Sequence, residues 1–301
     1  MSHVGAYVAL MKLRVVELLL VTTLPALFMA TYAQNHAHRF PPLGVTIATL
    51  IGGTLAAGAS NAFNMVIEVE SDRLMKRTKN RPLVSGEITK QQAVAFSLAL
   101  TIISLLIFLI FTTVLATLLT LLAILFYVVG YTIWLKRRTS QNIVWGGIAG
   151  CMPVLIGWAA ITNSLSWTAW WFFFLIFFWT PPHFWALAIK YKDDYAAAGI
   201  PMLPVVATIK SVQKQMWFHS VLMGATSILV LVSAHLPWWS YVVTAILALG
   251  FGVQLLKISG TDSQPAALKL FHWSITYLSI YSLILVIATL LANHSTGIVP
   301  S

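Results

Sequence analysis

From residue 93 to residue 135 the chain reads AVAFSLALTIISLLIFLIFTTVLATLLTLLAILFYVVGYTIWL, without one charged side chain. As a single helix this stretch would run about 65 Å, roughly twice the ~30 Å hydrocarbon core of a bilayer. It therefore predicts two membrane-crossing helices joined by a tight turn near Phe111, Thr112 and Thr113. Working outward, uncharged stretches long enough to cross recur at 15–33, 43–66, 143–162, 165–189, 215–236, 238–256 and 270–292. With 93–110 and 111–134 they predict an all-α polytopic membrane protein of about nine transmembrane helices. Composition agrees: 59% of the 301 residues are hydrophobic and 9% charged, against about 25% charged in soluble domains. The mean hydropathy is +0.85.

All but one of the 18 Lys and Arg residues fall on one side of alternating spans, the exception being Arg39. Positive residues in short loops stay on the cytoplasmic side. The expectation is an N-terminus in the cytoplasm, a C-terminus outside, and the bacterial inner membrane as location. The net charge of +10 is thus a topology signal and excludes nucleic acid as partner. A lone cysteine, Cys151, excludes an internal disulfide and a multi-cysteine metal site. The first apolar segment shows no small-residue cleavage site and reads as a retained helix. No linker or low-complexity tract divides the chain, so one intramembrane domain over residues 1–301 is expected, enclosing a central cavity open to the cytoplasmic face. The longer loops 68–92 and 190–214 hold most ionisable groups and suggest a weak internal repeat, each half giving one charged loop to a common cleft.

All eight carboxylates lie at or near that face. The sharpest cluster is Asn64-Met-Val-Ile-Glu68-Val-Glu70-Ser-Asp72-Arg73, in which Asn64, Glu68 and Asp72 recur every four residues and share one face of a continuing helix. Mg²⁺ takes one or two carboxylates together with water and phosphate oxygens, so this face suits a metal-diphosphate complex. Asn64 and Asp72 stand about 12 Å apart along an ideal helix, so either two ions bind or the helix bends. The basic run Lys76-Arg77-Thr-Lys79-Asn-Arg81-Pro-Leu follows directly and offers cations to a departing anion. Isolated acids in such a loop would merely balance neighbouring bases; three acids and an Asn at regular spacing ask for more.

The second cluster is Trp179-Thr-Pro-Pro-His183-Phe-Trp, followed by Lys190-Tyr-Lys192-Asp193-Asp194-Tyr195. Pro181 and Pro182 are expected to break or kink the sixth span, which implies a cavity to satisfy the freed backbone groups. An intramembrane His183 is either a functional group or a neutral histidine bonded to a neighbouring helix. Asp193 and Asp194 are adjacent and point apart on a helix, so at most one joins a metal.

These residues resemble the UbiA-type intramembrane prenyltransferases, and within them the haem-modifying branch. The resemblance spans nearly the whole chain and is carried by Lys12-Leu-Arg14-Val-Val-Glu17, by 64–72 with 77–83, by Tyr131-Thr-Ile-Trp-Leu-Lys136-Arg137 through Asn142, by 179–185, and by Gly199-Ile-Pro201-Met-Leu-Pro204. Two departures stand out: Glu68 replaces an aspartate, and the second acidic pattern of two aspartates four apart is absent, Ala197 and Ala198 occupying those positions. The resemblance implies farnesyl diphosphate as donor and protohaem IX as acceptor, with haem O and diphosphate as products. It implies Mg²⁺ on Asn64, Glu68, Asp72 and Asp194, and Arg77, Arg81 and Lys136 acting with the first three in catalysis. Substrate contacts are implied for Lys12, Arg14, Arg73, Tyr131, Arg137, Asn142, His183, Lys190, Lys192, Asp193 and Asp194. The run Trp170 to Phe174 either shelters the farnesyl tail or faces lipid; His36 and His38 are interfacial or touch haem. Service to haem-copper oxidase biogenesis is implied, with haem A synthase or oxidase assembly proteins as partners. A quinone-pathway aromatic prenyltransferase and a secondary transporter are the alternatives; a transporter needs groups reachable from both sides, whereas the acids here cluster at one face.

Overall fold

The computed structural model describes residues 3–34, 40–258 and 263–292. His36, His38, Arg39 and Asp262, and the side chain of Arg14, lie outside the described residues. The helices are α1 His3–Met11, α2 Leu13–Gln34, α3 Leu43–Leu74, α4 Pro82–Ser85, α5 Lys90–Phe111 and α6 Val114–Leu125, which continues as a π-helix over Phe126–Leu135. There follow α7 Asn142–Thr162, α8 Trp167–Lys190, α9 Lys192–Ala197, α10 Leu203–Val206, α11 Ile209–Ser233, α12 Trp238–Leu256 and α13 Gln264–Leu291. Among the described residues, nine helices are long and apolar enough to cross a membrane.

The turn expected at 111–113 is present. α5 ends at Phe111, and the Thr113 hydroxyl caps α6 by accepting from the Ala116 amide at 3.1 Å while donating to the Ala159 carbonyl at 2.8 Å. α5 itself starts with a reciprocal Thr89–Gln92 capping box.

Lipid supplies no hydrophobic drive between helices, so close approach depends on small residues. A Cβ on Gly52 would lie 2.8 Å from the Phe108 ring of α5, one on Gly58 2.6 Å from the Met11 side chain, and one on Gly157 3.1 Å from the Thr23 carbonyl. These contacts bring α3 against α5 and α1, and α7 against α2. α7 and α8 form the centre, with 67% and 72% of their apolar windows buried, against 22% for α5 and 17% for the α6 span. α2 packs on α7 and α13, and α8 on α7, α11 and α13, closing a ring of helices.

Three features depart from the sequence reading. First, of the break or kink expected at Pro181 and Pro182, the break is absent: α8 stays helical through both. Packing against its neighbours holds it: Thr180 donates to the Ile176 carbonyl at 2.7 Å, and its methyl sits where a Cβ on Gly147 of α7 would meet it at 3.0 Å. Second, the Trp170 to Phe174 run neither lines the cavity nor simply faces lipid; Phe172 and Phe173 are buried, and all five pack in or against the core. Third, the N-terminal residues form an extra helix, α1, whose Ala6 and Leu10 pack with Ala62, Met65 and Val69 of α3.

Candidate active site

The ring encloses a cavity of about 340 Å³ with a polar end and an apolar sleeve. α3 supplies one wall. Because it stays helical through Leu74, Asn61, Asn64, Glu68 and Asp72 fall within one stripe, and all four are buried. The loop after α3 folds back through the Thr78 hydroxyl, which donates to the Asp72 carbonyl at 2.9 Å, and returns Arg81 to Asp72 at 2.5 Å. The opposite wall is the π-helix, where the Lys136 amide donates five residues back to the Tyr131 carbonyl at 2.9 Å. The wider turn carries Tyr127, Tyr131 and Lys136 to the cavity, and Lys136 forms an ion pair with Glu68. Gly146 of α7 makes room for the Tyr131 ring, which a Cβ there would strike.

Lys12 occupies the turn between α1 and α2 with φ of 51°, a left-handed conformation unusual for a side-chain-bearing residue. That turn aims its ammonium at Asn64 Oδ1, 2.9 Å away, while Asn64 Nδ2 donates to Thr132 Oγ1 at 3.2 Å. Burial, with Arg81 as the next contributor, lowers the Lys12 pKa to about 7 despite the opposing pull of Glu68. Across the mouth, the Arg77 amide donates to Asp194 Oδ2 at 3.3 Å, and its guanidinium lies 5.4 Å from the Tyr191 ring centre. Tyr195, on α9 beside them, has its pKa raised by burial.

The structure thus brings together Lys12, Asn64, Glu68, Arg77, Arg81, Tyr131 and Lys136 on the cavity wall, with Asp72 buried behind Arg81 and Asp194 at the rim. It does not gather the rest. Arg73 is exposed and pairs with Glu70 at 3.0 Å; Arg137 is exposed and reaches Ser71 Oγ at 3.2 Å. Lys190, Lys192 and Asp193 are exposed and away from this cavity. Asn142 is buried and donates to the Lys136 and Thr139 carbonyls at 3.3 and 2.8 Å, so it holds the loop that carries Lys136 and does not line this cavity. His183 faces α13: it stacks between Trp179 and Phe271, with centroids 4.2 and 4.6 Å away, and its Nδ1 meets Ser274 Oγ at 2.6 Å. The bland reading of this histidine, a packed ring bonded to a neighbouring helix, matches that placement. Among the cavity residues that the sequence did not single out are Asn61, Tyr127 and Tyr195. Tyr195 sat in a quoted stretch, and Asn61 lies three residues before Asn64 on the same face, whereas nothing in the sequence marks Tyr127.

Among the described residues no three His, Cys, Asp or Glu side chains converge as a metal cage. Each α3 oxygen donor instead holds one cation: Asn64 an ammonium, Glu68 an ammonium, Asp72 a guanidinium. Such a spread of hard oxygen donors fits Mg²⁺ only in the form in which an anionic substrate completes the coordination.

Buried cations and carboxylates at one end of a membrane-enclosed apolar sleeve define an enzyme that handles an amphiphilic anion. The chain belongs to the UbiA prenyltransferase family, whose pattern matches residues 19–275. It is 46% identical to protoheme IX farnesyltransferase of Streptomyces avermitilis, over 93% of this chain and 92% of that one. It is 45% identical to the enzyme of the same name from Cutibacterium acnes, over 96% and 86%. Among solved structures it resembles digeranylgeranylglyceryl phosphate synthase, with 18% identity, a TM-score of 0.74 and coverage of 96% and 99%. It also resembles a UbiA homologue from Archaeoglobus fulgidus bound to GPP and Mg²⁺, at 16% identity and a TM-score of 0.68, over 93% and 99%. Likeness at that identity speaks to the fold.

Proposed function

We propose that the protein transfers the farnesyl group of farnesyl diphosphate to a vinyl group of protohaem IX, giving haem O and diphosphate. The observation that carries this reading is the two-ended cavity. Lys12, Arg77, Arg81 and Lys136 bring positive charge to the end where a diphosphate would sit, and an apolar sleeve follows. The acceptor rests on the relatives, whose shared name is protoheme IX farnesyltransferase.

The four cations disperse charge that builds on the diphosphate as the allylic C–O bond breaks, in a site from which most water is excluded. Tyr127 and Tyr131 present aromatic surface to the cation left behind. Small residues such as Ala56, Ala57 and Gly150 leave the sleeve open to the isoprenoid chain. Mg²⁺, when bound, neutralises diphosphate charge as a Lewis acid, and Asn64, Glu68 and Asp72, with Asp194 at the rim, are the residues that would hold it. α3 shows no break between Asn64 and Asp72, which supports two separate positions over one shared ion. The whole chain acts as one intramembrane domain in the bacterial inner membrane, with the charged end and N-terminus in the cytoplasm and the C-terminus outside. Haem A synthase or oxidase assembly proteins receive the product.

The test is an assay of purified protein with radiolabelled farnesyl diphosphate, Mg²⁺ and either protohaem IX or an aromatic quinone precursor. Label must appear in a haem product with the first acceptor. Transfer only to the aromatic acid, or none to haem, overturns the proposal.

A further inference from the structure

Asn61 makes no ion pair at the charged end of the cavity, and only its amide nitrogen is engaged in the packing of α1 on α3. It is buried, at 4% exposure, and lines the cavity. Its amide nitrogen donates to the Met11 carbonyl at 3.0 Å, which fixes the side chain's orientation and turns Oδ1 the other way. No donor among the described residues reaches that oxygen. Along α3 Asn61 precedes Asn64 by one turn, about 4.5 Å further from the charged end. With the diphosphate of the proposed donor among Asn64, Arg81 and Lys136, the reacting end of its isoprenoid would enter the sleeve toward this level. An amide oxygen that borders the cavity without a protein donor is free to accept a hydrogen bond from a molecule held there.

The geometry points to Asn61 as the residue that positions the water consumed in the reaction. The inference rests on the proposed farnesylation of a haem vinyl group. In that reaction the terminal vinyl carbon uses its π pair to bond the first farnesyl carbon, while the C–O pair leaves with diphosphate. The remaining positive charge rests on the carbon next to the pyrrole. A water lone pair closes on that carbon, forming the C–O bond of the hydroxyl, and the released proton passes to the departing diphosphate. Without a held water, the same cation loses a proton from the adjacent carbon and gives an alkene, lighter than haem O by one water. Oδ1 accepts a hydrogen bond from the water and leaves its lone pair facing the cation; it takes no proton itself. Asn61 is therefore a positioning residue whose signature is product identity rather than rate.

The experiment compares wild type, Asn61→Leu and Asn61→Gln protein with farnesyl diphosphate, Mg²⁺ and protohaem IX, and reads the alcohol-to-alkene ratio by mass spectrometry. That ratio is independent of how much protein is folded. The expected result is alcohol alone from wild type, a shift of at least tenfold toward alkene in the leucine variant, and partial return to alcohol in the glutamine variant, which keeps the amide. An unchanged ratio in Asn61→Leu beside a normal wild-type product refutes this inference alone. Absence of any farnesylated haem from wild type refutes the proposed reaction and takes the inference with it. Should the leucine variant yield no product, Asn61→Ala is read for the same ratio. Complete inactivity of both, in folded protein that still binds donor, also overturns the positioning role and leaves Asn61 as a structural tie to Met11.

Discussion

The buried pair Glu68–Lys136 separates a catalytic site from a structural one, and a double-mutant cycle reads the difference. Glu68 has 5% of its side chain exposed and Lys136 15%, so both charges are largely removed from water. Removing one partner of such a pair leaves the other charged and unpaired, a loss of about 3–5 kcal/mol. The residual exposure of Lys136 puts Glu68→Gln toward the lower end. Replacing both, as Glu68→Gln with Lys136→Met, removes the orphan charge and should recover most of that stability. Turnover should behave in the opposite way. If Lys136 draws on the leaving diphosphate and Glu68 on its metal, each single change removes stabilisation present only as charge develops, worth about 10²–10³ in kcat. The double variant then regains nothing and falls at least as low as the worse single. Thermal unfolding in detergent and initial rates with farnesyl diphosphate across a Mg²⁺ titration supply both arms. Recovery of stability and turnover together in the double variant, with an unaltered Mg²⁺ requirement, would refute a catalytic role and leave the pair serving only to neutralise itself.

Three further outcomes follow from the geometry. Lys12, with its pKa lowered to about 7, is charged below that pH and neutral above it in the free protein. Binding diphosphate demands the ammonium form, so donor affinity should fall by up to about tenfold per pH unit above 7 and level off below it, a dependence that Lys12→Arg abolishes. His183→Ala should lower the melting temperature, because it removes a ring stacked on Trp179 and Phe271 and the hydrogen bond between that ring and Ser274, while the rate per folded molecule stays within a few-fold of wild type; a specific loss of haem farnesylation would point to an acceptor role instead. Phe108 is fully buried on the cavity wall against Gly52, so Phe108→Ala should cost about 3–5 kcal/mol of stability and raise kcat/KM for geranylgeranyl diphosphate relative to farnesyl diphosphate, measured in a competition assay.

The spans were legible because the bilayer imposes a length and a polarity on every crossing segment, and the 93–135 stretch satisfied both twice over. The α3 face was legible for a similar reason: a four-residue spacing survives folding wherever the helix continues, and it continues through Asp72. Side chains at loop ends were harder to place. Arg77 and Arg81 follow closely on Arg73, yet the chain turns at Met75 and Thr78, so the first two face the cavity while Arg73, still on α3, meets Glu70 outside. Charge pattern gives no hint of that turn. Of the adjacent Asp193 and Asp194, Asp194 accepts from the Arg77 amide while Asp193 is exposed.

What sequence could not convey is how strained or irregular backbone aims a side chain. On an ordinary α-helix at 100° per residue Tyr127 and Tyr131 would share a face while Lys136, five residues further on, would point well away from it; the five-residue turns of the π-helix bring Lys136 round to the same cavity. Lys12 depends on a positive φ costing about 1–2 kcal/mol, which the burial of Met11 against Gly58 and of Leu10 against α3 holds in place. Both irregularities occur where α3 meets a cation, at Asn64 and at Glu68. Regular helices bury apolar faces without help, so the irregular backbone at these two contacts follows the demands of charge placement rather than of packing.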